Sequence, residues 1–474
     1  MNTTRKLTIK WNKEQIPIEI TACFVKELKD EIGRITNVEP SRQKLLFKGK
    51  NLDDSFQISA IPENSILTLM GIASTEIINI DTEKKIKFLE DLSNEEKAKI
   101  MKEKGEEPIY GLTNLGNTCY LNSTIQCLGR VPELRQALMK SISQSAITGN
   151  NYNNITKNFV TALGAVFQNL ENKGDTVTPN QLVALLRAIN PMFAEAEKGV
   201  YKQQDAEECW SLIMNIIRDY LPNDTQGEKF SDNLIDELFG LELTVQLKNI
   251  EEPSELRQKK EIVYKLPCFI DNQTTELVTG LKTSLKENVD LNSEIFRRNC
   301  IFEKSQLISR LPPYLNINFI RFFWKQGNTE TGAKAGKSKI LKSVIFSKII
   351  DLYELCDEGT KEILNLGRGI ETKMLKEDRN FKIENVSNPG NKEMIPTGRY
   401  QLVAVLTHQG RSSDAGHYIA WTNKKDEKWV KYDDDTTTVV NLTDVLELKG
   451  GGDWHMAYIC VYKRMEVPFS EIEN

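Results

Sequence analysis

The residue best suited to chemistry is Cys119, within the segment YGLTNLGNTCYLNSTIQCL at 110–128. The polar, glycine-bearing residues before it are typical of a loop, and Thr118 can act as the N-cap of a helix that follows. Apolar residues then recur at helical spacing, at Leu121, Ile125 and Leu128. A thiol in the first turn of a buried helix lies at the positive end of the helix dipole, which favours the nucleophilic thiolate. Asn114 carries a neutral amide donor that, with the N–H of Cys119, suits an oxyanion.

A base for this thiol is predicted at His417, one of three histidines in the chain. It begins the strand pattern HYIAW, and the second strand pattern WVKYD ends at Asp433. In an antiparallel hairpin these two ends are neighbours, so a carboxylate can bind the second nitrogen of the imidazole. Asp434 can reach the ring as well, and both aspartates stay open at this point. Cys, His and Asp in this chain order match papain-like proteases, whereas His408 is expected to be structural.

Three motifs together resemble those of the ubiquitin-specific proteases. The 110–128 segment is similar to their Cys box, GHYIAW with WVKYDDD and GGGDWHMAYICVYKR to their His box, and QQDAEECW at 203–210 to their glutamine-aspartate box. The resemblance implies that Cys119 is the nucleophile, His417 the base, Asp433 the third member and Asn114 the oxyanion donor. It also implies a set of substrate-binding residues, namely Gln203, Gln204, Asp205, Gly416, Tyr418 and Trp454. Asp205 with Glu208 forms the D-x-x-E pattern of a capping box, so it is expected to begin a helix as well.

Composition narrows the class of protein. The net charge is −5, without a long block of one sign, which argues against a nucleic-acid partner and against attraction to anionic membranes. No apolar run approaches the roughly 20 residues of a membrane span. The eight cysteines lack a C-x-x-C pair, and they favour a reducing compartment. The expected location is the cytoplasm, with the nucleus as an additional one. Cys268 and Cys300 stand alone, so neither a structural metal nor a cofactor is predicted.

The first 74 residues are predicted to form a separate unit. Their strand–strand–helix–strand–strand order resembles ubiquitin, which implies a β-grasp domain, and helix residues Val25, Leu28, Ile32 and Ile35 are expected to face its core. Leu46 and Met70 match two apolar positions of the recognition patch of ubiquitin, with a polar residue, Asn12 or Lys13, near the third. Alternation places Leu45 and Phe47 inward and leaves Leu46 outward. Residues 75–108 are charged and are predicted to be a linker with a helical middle.

Residues 109–466 are predicted to form the catalytic domain, so the fold class is α+β: a β-grasp unit and a papain-like core with thumb, palm and fingers. Helical patterns occupy 155–222 and strand patterns 399–463. Between them, 229–320 alternates repeatedly and predicts a long antiparallel sheet that grips a protein substrate.

The function implied by the resemblance is a cysteine-dependent deubiquitinase of the proteasome-associated branch. The expected partners are ubiquitin, ubiquitinated proteins and the regulatory particle of the 26S proteasome. Loops at 325–339 and 408–416 are expected to restrain the free enzyme until it docks. Two alternatives stay open at this point: a ubiquitin-binding proteasome adaptor with minor catalysis, and another Cys-His-Asp enzyme such as a transglutaminase-like acyl transferase.

Overall fold

The computed structural model describes residues 5–71, except 12–13, 22–23 and 37, and residues 109–469, except 148–153, 173–174, 224–228, 326–335, 379–382, 384–392, 413–414 and 426. The chain divides into two compact units, Met1–Glu90 and Asp91–Asn474. The predicted linker at 75–108 lies outside the described residues, as do Asn12 and Lys13. The boundaries 1–74, 75–108 and 109–466 therefore stay predictions.

The N-terminal unit is one five-stranded sheet crossed by a helix. Its elements are β1 (Arg5–Trp11), β2 (Glu14–Ile20), α1 (Val25–Thr36), β3 (Lys44–Phe47), β4 (Lys50–Asn51) and β5 (Ile66–Met70). The strand order is β2-β1-β5-β3-β4, with β1 and β5 parallel and the other pairs antiparallel. This is the predicted β-grasp arrangement.

The helix of this unit faces the sheet with Val25, Leu28, Ile32 and Thr36. The prediction that Ile35 belongs to this face was wrong: its side chain is 49% exposed, because Thr36 stands one full turn after Ile32 and takes the inward position. On the sheet, Leu45 is fully buried and Leu46 is half-buried, paired in register with exposed Thr68. Met70 is 57% exposed beside Lys44, so the two predicted partner-binding residues lie on the outward face of neighbouring strands.

The C-terminal unit contains helices and strands in a different arrangement. Its helices are α2 (Cys119–Leu128), α3 (Pro132–Ile147), α4 (Ile155–Asn172), α5 (Asn180–Ile189), α6 (Ala206–Arg218), α7 (Leu234–Phe239), α8 (Leu277–Ser284), α9 (Glu358–Glu377) and α10 (Leu442–Leu446). Within the part of the chain that the structure describes, none of the helices has the length and apolar character to cross a membrane.

The strands of this unit continue the numbering. They are β6 (Ala196–Glu197), β7 (Val200–Tyr201), β8 (Leu241–Asn249), β9 (Leu256–Val263), β10 (Leu266–Cys268), β11 (Lys286–Asn292), β12 (Asn299–Arg310), β13 (Tyr314–Phe319), β14 (Phe322–Lys325), β15 (Gly336–Lys339), β16 (Ile349–Asp351), β17 (Met394–Ser412), β18 (Ala415–Lys425), β19 (Lys428–Asp433), β20 (Thr436–Asn441) and β21 (Met456–Pro468).

Two sheets organise the unit. The larger has the order β10-β13-β21-β17-β18-β19-β20, with β16 paired to β17, and corresponds to the palm. The smaller, β11-β12-β8-β9, corresponds to the fingers, and the helices α2–α6 correspond to the thumb. The predicted fold class is therefore confirmed.

The prediction for 229–320 was too simple. Residues 234–239 and 277–284 are helical, and β10 and β13 belong to the palm sheet rather than to the fingers. Both strands are largely buried, LPC with two buried residues and YLNINF with every residue buried. Short apolar runs of this kind do not reveal from the sequence which sheet they join.

The thumb helices pack closely where glycine allows it. In α4, Gly164 is buried against α3, and a Cβ atom there would lie 2.3 Å from the main-chain oxygen of Leu138. Phe159, Leu163 and Phe167 of the same helix are buried in the core of this unit. The contact between the two helices is therefore set by the missing side chain.

Replacing Gly164 with alanine is expected to lower the free energy of unfolding of this unit by about 1–3 kcal/mol, because the two helices must separate. The matched control is Gly369→Ala in α9, where a Cβ would have no atom within 4 Å. That change is expected to be neutral or to stabilise by up to about 1 kcal/mol. Calorimetric unfolding of both variants measures the difference, and equal stabilities would contradict the close contact.

Candidate active site

Cys119 is the first residue of α2, as expected, but the helix around it differs from the prediction. All ten of its residues are buried, since it packs against β18 of the palm and against α6, so it is buried on every side rather than amphipathic. Thr118 stands at the N-cap position without capping through its side chain. Its hydroxyl instead accepts a hydrogen bond from the N–H of Leu115 at 2.9 Å, which fixes the loop before the cysteine.

His417 and Asp433 lie at the neighbouring ends of an antiparallel hairpin, as the sequence predicts. His417 is near the start of β18 and Asp433 is the last residue of β19, and the two strands are antiparallel neighbours. The Nε2 atom of His417 lies 2.6 Å from Oδ1 of Asp433, and the second oxygen of Asp433 lies 3.2 Å from Nζ of Lys431. His417 also hydrogen bonds with the thiol group of Cys119. Three segments far apart in sequence thus form one connected series.

The electrostatics of this series favour a charged imidazole. The hydrogen bonds of His417 with Cys119 and with Asp433 raise its pKa to about 9. Their effect outweighs the burial of the ring, which lowers the pKa. Burial acts against the negative charge of Asp433, but its bonds to His417 and Lys431 hold its pKa below the usual value. His455, with its ring 6.0 Å from that of His417, behaves oppositely: burial lowers its pKa to about 4. At neutral pH only His417 of these two carries a proton on both nitrogens.

Asp434 has a different set of partners from Asp433. Its two carboxylate oxygens accept hydrogen bonds from the amides of Asn114 and Asn122, each at 2.8 Å. The oxygen of the Asn114 amide in turn accepts from the N–H groups of Gly116 and Thr118. Asp433 therefore orients the histidine, whereas Asp434 holds the loop that contains Asn114. The sequence left this choice open, and it did not indicate Asn122, although that residue lies one turn after Cys119.

The loop and the hairpin touch at Gly111. A Cβ atom at this position would lie 2.3 Å from the main-chain oxygen of Asp434, which accepts a hydrogen bond from the N–H of Leu112 at 2.9 Å. Only glycine permits this approach. The backbone contact and the two amide bonds together fix the loop before Cys119 against the strand end that carries Asp433.

The residues of the glutamine-aspartate box lie beside a cavity of about 570 Å³. Gln203 and Gln204 line it, but they are only 6% and 8% exposed, so their side chains are largely enclosed. Asp205 also contributes to the lining, and it is the N-cap of α6, accepting from the N–H of Glu207 at 2.8 Å. The same carboxylate accepts from the hydroxyl of Tyr458 at 2.7 Å, which joins the helix to the palm.

The three remaining predicted substrate-binding residues lie in different surroundings. Gly416 is exposed with φ +141°, and a Cβ there would collide with the main-chain oxygen of Gln409 at 2.0 Å. Trp454 is 53% exposed. Tyr418 is only 1% exposed and packs on His408 with ring centres 4.5 Å apart. In this conformation Tyr418 is a core residue without surface for a substrate, because both faces of β18 are covered at this position.

Comparison with known proteins agrees with this geometry. The family model described as ubiquitin carboxyl-terminal hydrolase matches residues 110–462, and the ubiquitin family model matches residues 7–73. The chain belongs to the ubiquitin carboxyl-terminal hydrolase family. It is a cysteine-type deubiquitinating enzyme with an N-terminal ubiquitin-like domain.

Relatives of nearly equal length share both parts of this hydrolase. Ubiquitin carboxyl-terminal hydrolase 6 of Arabidopsis thaliana is 35% identical over 96% of this chain and 98% of its own length. Ubiquitin carboxyl-terminal hydrolase 14 of Caenorhabditis elegans is 33% identical over 96% and 93%, respectively. A third relative, ubiquitin carboxyl-terminal hydrolase 6 of Schizosaccharomyces pombe, is 30% identical over 97% and 99%.

The contacts of His417 predict how its titration responds to substitution. In the Cys119→Ala variant its pKa is expected to fall clearly below 9, because the largest raising contribution is lost while burial remains. Asp433→Asn is expected to lower it as well. The imidazole signals of the three histidines report this directly by NMR titration. Cys127→Ala, at the other end of α2, serves as the matched control, and an unchanged titration in Cys119→Ala would contradict the pairing.

Proposed function

We propose that this hydrolase cleaves isopeptide bonds between the C-terminal glycine of ubiquitin and lysine side chains of proteins bound to the proteasome. The observation that carries the proposal is the hydrogen-bonded series of Cys119, His417 and Asp433. It provides a nucleophile, a proton carrier and a group that orients the carrier.

In the proposed reaction the thiolate of Cys119 attacks the carbonyl carbon of the glycine. The oxyanion that forms is stabilised by the N–H of Cys119 and by the amide of Asn114, whose second N–H is not used by Asp434. Protonated His417 then gives its proton to the lysine amine, the C–N bond breaks and an acyl-enzyme remains. Water, deprotonated by His417, hydrolyses this thioester and restores the free thiol.

The cavity beside α6 supports recognition of an extended tail. Gln203 and Gln204 offer amide groups there, and Asp205 and Glu208 give it negative charge. At Gly416 a side chain would collide with the neighbouring strand, so the main chain next to His417 stays bare. We infer that the groove admits the two glycines of the tail and excludes larger side chains.

The regulatory part of the proposal concerns the two loops and the ubiquitin-like domain. We infer that the segments 325–339 and 408–416 restrain the free enzyme, and that docking on the proteasome moves them. Exposed Met70 and half-buried Leu46 lie on the outward face of the ubiquitin-like sheet, and apolar side chains on such a face support a docking role. We further propose a cytoplasmic location, with the nucleus as an additional one.

Hydrolysis of a fluorogenic ubiquitin C-terminal amide tests both the cysteine chemistry and the regulation by proteasomes. Cys119→Ala is expected to lower the rate by at least about 10⁴-fold, because the nucleophile is lost. The control Cys127→Ala is expected to retain activity, since this second cysteine of α2 is fully buried and only packs. Addition of purified proteasomes is expected to raise the wild-type rate strongly. A cleavage rate that does not change when proteasomes are added would refute the proposed regulation. Tight binding of ubiquitin without any cleavage would favour the alternative function, a ubiquitin-binding proteasome adaptor.

Asn114 provides a separate test of the oxyanion role. Asn114→Ala is expected to lower kcat by about 10²-fold with little effect on KM, because the amide acts mainly on the transition state. Asn117→Gly is the control: this neighbour in the same loop donates to the main-chain oxygen of Tyr201, and glycine preserves its φ of +54°. A loss confined to KM would assign Asn114 to substrate binding instead.

A further inference from the structure

The tip of the fingers sheet is formed by two turns, residues 250–255 between β8 and β9 and residues 293–298 between β11 and β12. Both turns lie at the same end of the sheet, because the antiparallel pairing of β8 with β12 places Asn249 opposite Phe302. The first turn leads into β9 and the second follows β11, which are the two outer strands. In a flat sheet of this order the outer strands would lie roughly 14 Å apart.

A single carboxylate joins the two turns. Glu255 ends the first turn, and its Oε2 atom accepts hydrogen bonds from the amide of Asn249 at 2.7 Å and from the hydroxyl of Ser293 at 2.5 Å. Its Oε1 atom accepts from the N–H of Glu294 at 2.9 Å and from the guanidinium of Arg257 at 2.7 Å. These bonds connect the start of β9 with the end of β11, across the two strands between them. We call Glu255 and its four donors the carboxylate clasp.

The carboxylate of Glu255 is the main link between the turns. Its residue is 8% exposed, and burial acts against the negative charge, but the hydrogen bonds lower its pKa to about 2. The group therefore stays charged at neutral pH, and hydrogen bonds to a charged acceptor are the stronger kind. The ion pair of Arg298 with Glu251 links the same two turns, but these side chains are 55% and 45% exposed, and such pairs contribute little.

The clasp covers one face of the tip and leaves the other face open. On the covered face, Asn249 and Phe302 have no exposed surface and Cys300 is 3% exposed. The opposite face, which we call the open face, carries five apolar side chains that are each more than 40% exposed, namely Ile250, Leu256, Ile262, Ile301 and Leu307. Exposed apolar side chains grouped on one face are typical of a surface that binds another protein.

We propose that Glu255 is a positioning residue for ubiquitin, because the carboxylate clasp holds the two turns so that the open face of the fingers fits the folded body of the substrate. This inference rests on the proposed function, and it assigns the grip predicted for the fingers sheet to the open face. Without the clasp the turns separate, and only a fraction of the molecules presents the open face in its binding conformation. The apparent dissociation constant rises as this fraction falls. The reacting groups belong to α2 and the palm hairpin, so the clasp acts on binding rather than on the chemical step.

The decisive variant is Glu255→Gln in the full-length protein. It replaces one carboxylate oxygen with an NH2 group, which faces donors instead of accepting from them. The KM for a fluorogenic ubiquitin C-terminal amide is expected to rise at least about fivefold, and kcat is expected to change less than about twofold. In the Cys119→Ala background, the dissociation constant of ubiquitin is expected to rise by the same factor as KM. Amide hydrogen exchange of residues 293–298 is expected to become faster.

Three further variants separate positioning from other effects. Glu252→Gln is the matched control, because it removes the same charge from the same turn, where this carboxylate accepts from Ser254 of that turn. Its KM is expected to equal that of the wild type. Ser293→Ala removes one bond of the clasp with little risk to folding, and its effect combined with Glu255→Gln is expected to be smaller than the product of the two. Ile301→Ser is expected to weaken ubiquitin binding without changing the exchange of residues 293–298, since it alters the open face but not the clasp.

An unchanged KM in Glu255→Gln or in Ser293→Ala would overturn the proposal. A loss confined to kcat, or an equal rise of KM in Glu252→Gln, would overturn it as well. These outcomes differ from a failure of the proposed function, which would appear as absence of cleavage by the wild-type protein. Ubiquitin binding in the Cys119→Ala background measures the clasp independently of cleavage.

Discussion

The arrangement of the active site depends on one short contact between two distant parts of the chain. At Gly111 the loop before Cys119 reaches the backbone of Asp434, and the carboxylate of Asp434 accepts from Asn114 and Asn122. This contact is the point where the thumb helix and the palm hairpin are fixed against each other. Without it, the helix that carries the thiol and the hairpin that carries the imidazole would lose their main-chain contact. Effective catalysis needs reacting groups placed within a fraction of an ångström. The chemistry of the site therefore depends on this contact.

The same contact explains why two adjacent acidic residues have separate tasks. Asp433 ends β19 in the extended conformation and faces His417, whereas Asp434 has φ +53° and turns its side chain toward the loop. The carboxylate of Asp433, together with Cys119, favours the charged imidazole, whereas the carboxylate of Asp434 accepts hydrogen bonds from two amide donors. Because Asp434 is satisfied in this way, it does not compete with Asp433 for the histidine. Because the backbone conformation changes between these two consecutive residues, one carboxylate contacts the imidazole and the other holds the loop before Cys119.

The elements that carry Cys119, His417 and Asp433 could be predicted from the sequence, because the patterns that indicate them are local. The hairpin that carries His417 and Asp433 follows from alternation and a turn, and α2 follows from periodicity after a glycine-bearing loop. The choice between Asp433 and Asp434 was not accessible, since it rests on a single positive φ. The environment of Tyr418 and the two glutamines was also missed: motifs identify residues that act together but do not show their burial. The assignment of β10 and β13 to the palm depends on long-range pairing, which short apolar runs cannot specify.

A buried contact also gives the proposed regulation a physical route to His417. Lys339, the last residue of β15, places its amine 2.8 Å from Nδ1 of His408 and 2.7 Å from the oxygen of the same residue. Burial and the nearby charge of Arg321 lower the pKa of this amine to about 7. His408 pairs in register with Tyr418, and the next residue, Gln409, pairs with His417. A hairpin β14–β15 that moves must leave His408 or carry β17 with it. In both cases the support of the strand beside His417 changes, so the proposed regulation has a contact through which it reaches the imidazole.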